Sequence, residues 1–304
     1  MSLVIGIGAF AGGLWLLVES VEGLVKHLRA WALAAGLSGV LVGALVLSFD
    51  VESTAAGVAA TLDDLPGTAL GSSIGASIFL VTAGLGVAAL IAPFHVQPPG
   101  ALLFAAGAAT VLSIALASDG RLTRLDGAIL LGSFLPLVAV VFLRRPRADP
   151  PADERAPRPR HLIPKVLTGL VGLVVGAELL VFGTQRVVSQ LELSETVFGL
   201  LVVAAAVSFE EVILEALPAF RGFPELSVGN ALGTLVFLLT GSLGVIVLAR
   251  PISVPASVTA YHLPALALTA LLAGALLARG RLRRIEGTVL LAAYAAYVAG
   301  ALAR

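Results

Sequence analysis

Cysteine is absent from all 304 residues. That absence excludes disulfides, thiolate metal sites and thiol catalysis, and it leaves the redox compartment undetermined. Charge is scarce as well. Only 12% of residues are Asp, Glu, Lys or Arg, against about a quarter in soluble domains. The four histidines, His27, His95, His161 and His262, lie far apart and near predicted loops. Without thiolates or a histidine cluster, a zinc or copper site is not expected. Lys and Arg together equal Asp and Glu, so no global field points to nucleic acid. The N-terminus has no basic segment ahead of its first apolar run. It reads as a first membrane helix and not as a cleaved signal.

What fills the chain is apolar: 58% of residues are hydrophobic and the mean hydropathy is +1.02. A bilayer-spanning helix needs about 20 such residues. Ten windows qualify, near 2–24, 33–61, 68–92, 99–118, 126–143, 163–188, 194–219, 227–249, 257–278 and 285–303. The expected class is an all-α polytopic membrane protein. Breaks are expected at Lys26 to Arg29, Asp63 to Gly67, His95 to Pro99, Ser118 to Arg124, Arg221 to Pro224 and Arg279 to Arg284. Asp63 and Asp64 read as a solvated loop pair at a helix end.

One connection differs in kind. Arg144 to Lys165 is Pro-rich, charged and poor in large apolar residues, so it reads as an exposed, flexible linker. It separates a first five-helix unit, 1–143, from a second, 165–304, with 144–164 between them. Basic residues then set orientation. Fourteen Lys and Arg fall after the odd-numbered helices and five on the opposite side. The linker is therefore expected in the cytoplasm, with both termini outside. The setting is an integral protein of a prokaryotic plasma membrane, whose partners are lipid and inorganic cations.

Two acidic clusters interrupt the apolar runs. The first is Ser48-Phe49-Asp50-Val51-Glu52-Ser53; the second is Ser208-Phe209-Glu210-Glu211, with Glu215 one helical turn on. Ionisable side chains at membrane depth mark ion or substrate paths. Five carboxylates with no nearby Lys or Arg must hold protons or be matched by a bound cation. A structural polar contact between helices is the blander alternative.

The clusters belong to a repeat. Gly39-Val40-Leu41-Val42 precedes the first, and Gly199-Leu200-Leu201-Val202 the second, at an offset of 160. Leu65-Pro66, Gly71, Gly75, Phe79 and Thr82 match Phe223-Pro224, Gly229, Gly233, Phe237 and Thr240 at an offset of 158. Two extra residues thus lie between Phe49 and Pro66. Either Asp50 or Glu52 can be the counterpart of Glu210, and Glu52 can instead pair with Glu211. An odd number of helices per unit makes the second copy inverted, the layout of many secondary transporters. The GxxxG spacings Gly71/Gly75 and Gly229/Gly233 predict close helix packing.

The sequence at this point resembles the cation/calcium exchanger superfamily. The resemblance rests on Glu178-Leu179-Leu180-Val181, Ser194 to Leu200, and Pro224 to Thr234. It covers about 30–100 and 165–250. It implies a secondary antiporter that exchanges calcium, or another cation, for sodium or protons by alternating access, with no cofactor and no enzymatic activity. The family's G-T-S-x-P-E is Ala206 to Glu211 here, with Glu210 in place of proline. Glu211 and Glu52 match the ligand acids and are the implied metal ligands, with Asp50 and Glu210 as extra acids. Where the family continues G-S-N-x-x-N, this chain has Leu80 and Leu238 at the last polar position.

Calcium takes six to eight oxygens. Besides the acids Asp50, Glu52, Glu210, Glu211 and Glu215, the candidates are Ser48, Ser208, Ser72, Ser77 and Asn230. With proline absent from both motifs, helix breaks there must come from serine, water or ions. Two other classes stay open: an intramembrane metal-dependent enzyme using paired acids, and a passive cation channel.

Overall fold

The computed structural model describes residues 2–144, 159–188 and 204–303. The described residues are almost wholly helical. In the first unit, α1 is Ser2–Ala35, α2 covers 39–47, α3 is Val51–Leu62, α4 is Pro66–Ile91, α5 is Gly100–Ala117 and α6 is Arg124–Leu143. In the second, α7 is Pro159–Val188, α8 is Ala204–Phe220, α9 is Pro224–Ala249, α10 is Val258–Ala278 and α11 is Arg284–Leu302. Among the described residues, nine segments are long and apolar enough to cross a membrane, α2 and α3 counting as one. The other expected span, 194–219, is described only from Ala204, and its start lies outside the described residues.

Two boundaries differ from those the sequence suggested. Helix α1 does not end at Lys26 to Arg29. It runs on to Ala35, and Gly36 ends it with a φ of +64°. Long basic side chains keep their charge in water while the backbone stays helical, so charge alone does not stop a helix. Helix α7 starts at Pro159, which leaves only 145–158 of the expected linker outside the described residues. Proline is tolerated in the first turn of a helix, where its missing N–H has no intrahelical partner.

The two units are related as inverted copies. Their loops meet in two matching antiparallel pairings: Leu122 with Ile252, and Phe94 with Leu282. The offsets of 158 and 160 map one pairing onto the other. The most buried spans are α4 and α9, which form the centre. Helix α2 crosses α9 and α3 packs on the far end of α9. In the other copy, α8 packs on the far end of α4. Helices α1 and α7 lie against each other, with Gly13 on the backbone of α7 and Gly176 on that of α1. Small residues permit this approach in a membrane, where van der Waals packing between helices takes the place of the hydrophobic effect.

Helix α4 and helix α9 are not regular. Each contains a π-helical turn at equivalent positions, Leu80–Gly84 and Phe237–Ser242, and α4 has another at Gly71–Gly75. Thr82 and Thr240 each donate a hydroxyl proton to the carbonyl four residues earlier. Such turns loosen the helical ladder and recur at functional sites. The Asp63-Asp64 corner joins α3 to α4, and exposed Asp64 pairs with Arg250 at 2.7 Å.

Candidate ion-binding cavity

The first acidic cluster falls where the helix breaks. Helix α2 ends in a π-helical turn, Gly43–Leu47, and Ser48 donates its hydroxyl back to the Ala44 carbonyl. After a short non-helical stretch, Asp50 caps α3 by accepting the Ser53 N–H at 2.8 Å. Serine and an acidic cap therefore take the part that proline would otherwise play. One Asp50 oxygen is used in the cap, and the other is buried with no hydrogen-bond partner. Glu52 lies in the first turn of α3, where a negative charge is favoured by the helix dipole.

The contacts also place the two extra residues of the first copy. A Cβ on Gly57 would meet the Ser72 hydroxyl, and Glu215 binds Asn230. Both partners differ by 158, so α3 follows that offset and the insertion sits at the break, 48–50. Glu52 is then the counterpart of Glu210, and Ser53 that of Glu211.

The break opens on a cavity of about 540 Å³. Its acidic lining is Asp50 and Glu52 from the first copy, Glu210 and Glu211 from α8, and Glu178 from α7. No Lys or Arg lines it among the described residues. The carboxyl groups of Glu52 and Glu210 meet within hydrogen-bonding range, and Glu178 faces both. Glu211 is in the field of Asp50, Glu52, Glu210 and Glu215. Like charges this close are compatible only with a shared proton or an intervening cation. Among the described residues no three acids close into a tight metal cage. An ion in this cavity would therefore complete its shell with water, backbone oxygens or a change in helix position.

Of the expected ligands, Asp50, Glu52, Glu210, Glu211 and Asn230 line the cavity. Ser48 and Ser77 are buried and donate to the Ala44 and Ser73 carbonyls, while Ser72 donates to the Ala69 carbonyl at 2.9 Å. None of the three lines it. The Ser208 side chain lies outside the described residues. Glu215 is wholly buried behind the cavity, bonded to Asn230. Sequence reasoning did not assign Glu178 or Thr234 to the site. For Glu178 a signal existed: Leu170, Val174 and Glu178 recur every fourth residue and share one face of α7. Phe49 stands at the rim, its ring against those of Phe134 and Phe237, with centroids 6.1 and 5.2 Å away.

Comparisons agree with this geometry. The sodium/calcium exchanger protein model matches residues 5–143 and 162–303, skipping the linker. CaxA of Alkalimonas amylolytica, which carries an antiporter name, is 28% identical over 94% of this chain and 95% of its own. Membrane protein MJ0091 of Methanocaldococcus jannaschii is 26% identical over 80% of this chain and 82% of its own. The solved sodium-calcium exchanger NCX_Mj superposes with a TM-score of 0.86 at 24% identity, covering 98% of each chain. That likeness concerns the fold, two halves packed as described above. The family match covers both halves and the helices that build the acidic cavity, and the chain belongs to the sodium/calcium exchanger family.

Proposed function

We propose that this cation antiporter of the sodium/calcium exchanger type carries calcium against sodium or protons. Glu52 and Glu211 are its principal cation ligands, and Asp50, Glu210 and Glu178 complete the negative lining. The observation that carries the reading is the cavity itself: five carboxylates from three spans and no cationic side chain among the described residues. A phosphate-bearing substrate would need a basic clamp, so this lining favours a cation. One divalent ion balances two charges. The remaining acids take up protons or monovalent cations, and competition for the same oxygens is sufficient for exchange. CaxA, named as an antiporter, and NCX_Mj, a sodium-calcium exchanger, support the antiport reading by relationship.

The test is calcium uptake into proteoliposomes, with sodium and proton gradients varied independently. Uptake that saturates and stops when both gradients are removed supports antiport. Uptake that persists without any counter-ion gradient indicates a channel instead.

Protons give a second expected outcome. The groups facing one another across the cavity are Asp50 and Glu52 on the first copy, Glu178 on α7, and Glu210 and Glu211 on α8. Glu215 and Tyr294 lie behind Glu211. If protons occupy the empty site, calcium displaces them, and apparent calcium affinity rises as pH rises. Calorimetry in buffers of different ionisation enthalpy should record proton release on calcium binding. Glu210→Gln should flatten the pH dependence more than it weakens binding. A pH-independent affinity without proton release leaves sodium as the counter-ion.

Orientation is proposed from the basic residues: termini outside, 144–164 in the cytoplasm. The chain has no native cysteine, so Ala152→Cys supplies a unique reporter. It should react with impermeant maleimide only after the cytoplasmic face is opened. Labelling of intact cells reverses the proposed orientation.

A further inference from the structure

Glu215 differs from the other acids of α8. It has no exposed surface, and it does not line the cavity. Its Oε1 accepts a hydrogen bond from Asn230 Nδ2 at 2.9 Å. The Ser227 hydroxyl donates to the Glu215 main-chain carbonyl at 2.6 Å, tying α8 to the first turns of α9. On its other side the carboxyl stem lies against Gly84, where an added Cβ would come within 3.2 Å of the Glu215 Cγ. The pseudo-symmetric position in α3 is Gly57, beside Ser72, so the pair exists in one copy only.

Asn230 stands between this acid and the cavity. It is buried, and it lines the cavity together with Thr234. An amide has a donating end and an accepting end. In the structure the Asn230 NH2 turns toward Glu215 and donates to its Oε1. The Asn230 Oδ1 is then left on the side of Thr234, whose hydroxyl lies 3.3 Å away. A flipped amide would present two N–H dipoles to an arriving cation and repel it.

We propose that Glu215 is a positioning residue that fixes the Asn230 amide with Oδ1 toward the cavity, where it serves as an oxygen ligand for the transported cation. The inference rests on the antiport reading above and deepens it. Glu215 need not touch the ion to act. Its hydrogen bond decides which end of Asn230 the ion meets.

The experiment measures calcium binding and calcium-driven flux in the full-length purified protein, for wild type, Glu215→Met, Glu215→Gln, Asn230→Ala and the Glu215→Met/Asn230→Ala double variant. The methionine thioether is only a weak acceptor in place of the carboxyl oxygen, and loss of one buried hydrogen bond corresponds to about a tenfold change in affinity. Glu215→Met should weaken apparent calcium affinity by about tenfold while the maximal rate is kept. Glutamine accepts in one of its two orientations, so Glu215→Gln should lose only about twofold. In the Asn230→Ala background, Glu215→Met should have no further effect, because the action passes through Asn230 alone. A change that only loosened the fold would add to Asn230→Ala and lower the maximal rate. Overturning results are an unchanged affinity in Glu215→Met, a Glu215→Gln as weak as Glu215→Met, or additive losses in the double variant. A wild type that neither binds nor moves calcium would sink the antiport reading, and this inference with it, before any variant is compared.

Discussion

Glutamine at Glu211 or at Glu52 is expected to abolish calcium-driven exchange while leaving the protein folded. The substitution keeps the shape of the side chain and removes one negative charge. Both positions line the cavity, and neither has a cationic side chain beside it there to leave unpaired among the described residues. On the proposed reading, the charge they supply is directed at the ion. Removing one partner from a desolvated charge pair costs ~3 kcal/mol, which corresponds to about a hundredfold in affinity. Folding should be unaffected, because a protonated or neutral side chain suits the empty cavity at least as well as a carboxylate does. The check is calcium uptake in proteoliposomes alongside size-exclusion and thermal profiles of the same samples. Wild-type flux in either variant removes that residue from the ligand set. Glu52 is the sharper case of the two. Its pseudo-symmetric partner is Glu210, not Glu211, so the two proposed ligands occupy non-equivalent positions in the two copies.

The second large effect concerns packing. A Cβ built on Gly229 would sit 2.1 Å from the Val40 carbonyl oxygen, and one on Gly233 would sit 2.6 Å from the Ala44 Cα. Both neighbours are helix backbone, which cannot turn aside as a side chain can. Even Gly229→Ala must push α2 away from α9, with a penalty of about 3 kcal/mol on the scale of overpacked interiors. The shift would carry the break at Ser48 to Asp50 away from Asn230 and Thr234, so transport should fail along with stability. Gly274, in α10, has no atom within 4 Å of the same added carbon. Gly274→Ala should be neutral or slightly stabilising, because alanine favours the helix. Thermal unfolding of the detergent-solubilised variants separates the two positions. Equal melting of Gly229→Ala and wild type would show that the crossing adjusts, contrary to the packing account.

Much of this architecture was legible because a bilayer imposes few solutions. Apolar windows of the required length located the spans, and the odd number per unit implied inversion. The same physics hid the ends of helices. Lys26 to Arg29 read as a break, yet α1 continues to Ala35, because basic side chains reach water without disturbing the backbone. The serines were harder still. Ser48, Ser72 and Ser77 were reasonable oxygen ligands by position, but their hydroxyls bond to carbonyls of the preceding turn. Local hydrogen bonding of this kind leaves no mark on sequence spacing.

The sequence by itself determined the all-α membrane class, the nine spans seen among the described residues, the repeat and the two acidic clusters, since each follows from hydropathy and from the rarity of charge in an apolar chain. It left two offsets, 160 and 158, with the gap between them unplaced. Only the tertiary structure located that gap at the helix break, because register is decided by which side chain a glycine stands beside and which amide a carboxyl can reach. The same holds for Glu178 and Glu215. Both are single acids in apolar helices, alike in one dimension. One faces the cavity from α7, and the other is sealed between α4 and α9 with its oxygen on Asn230. Their difference arises from helix packing, which brings residues from distant parts of the chain into contact.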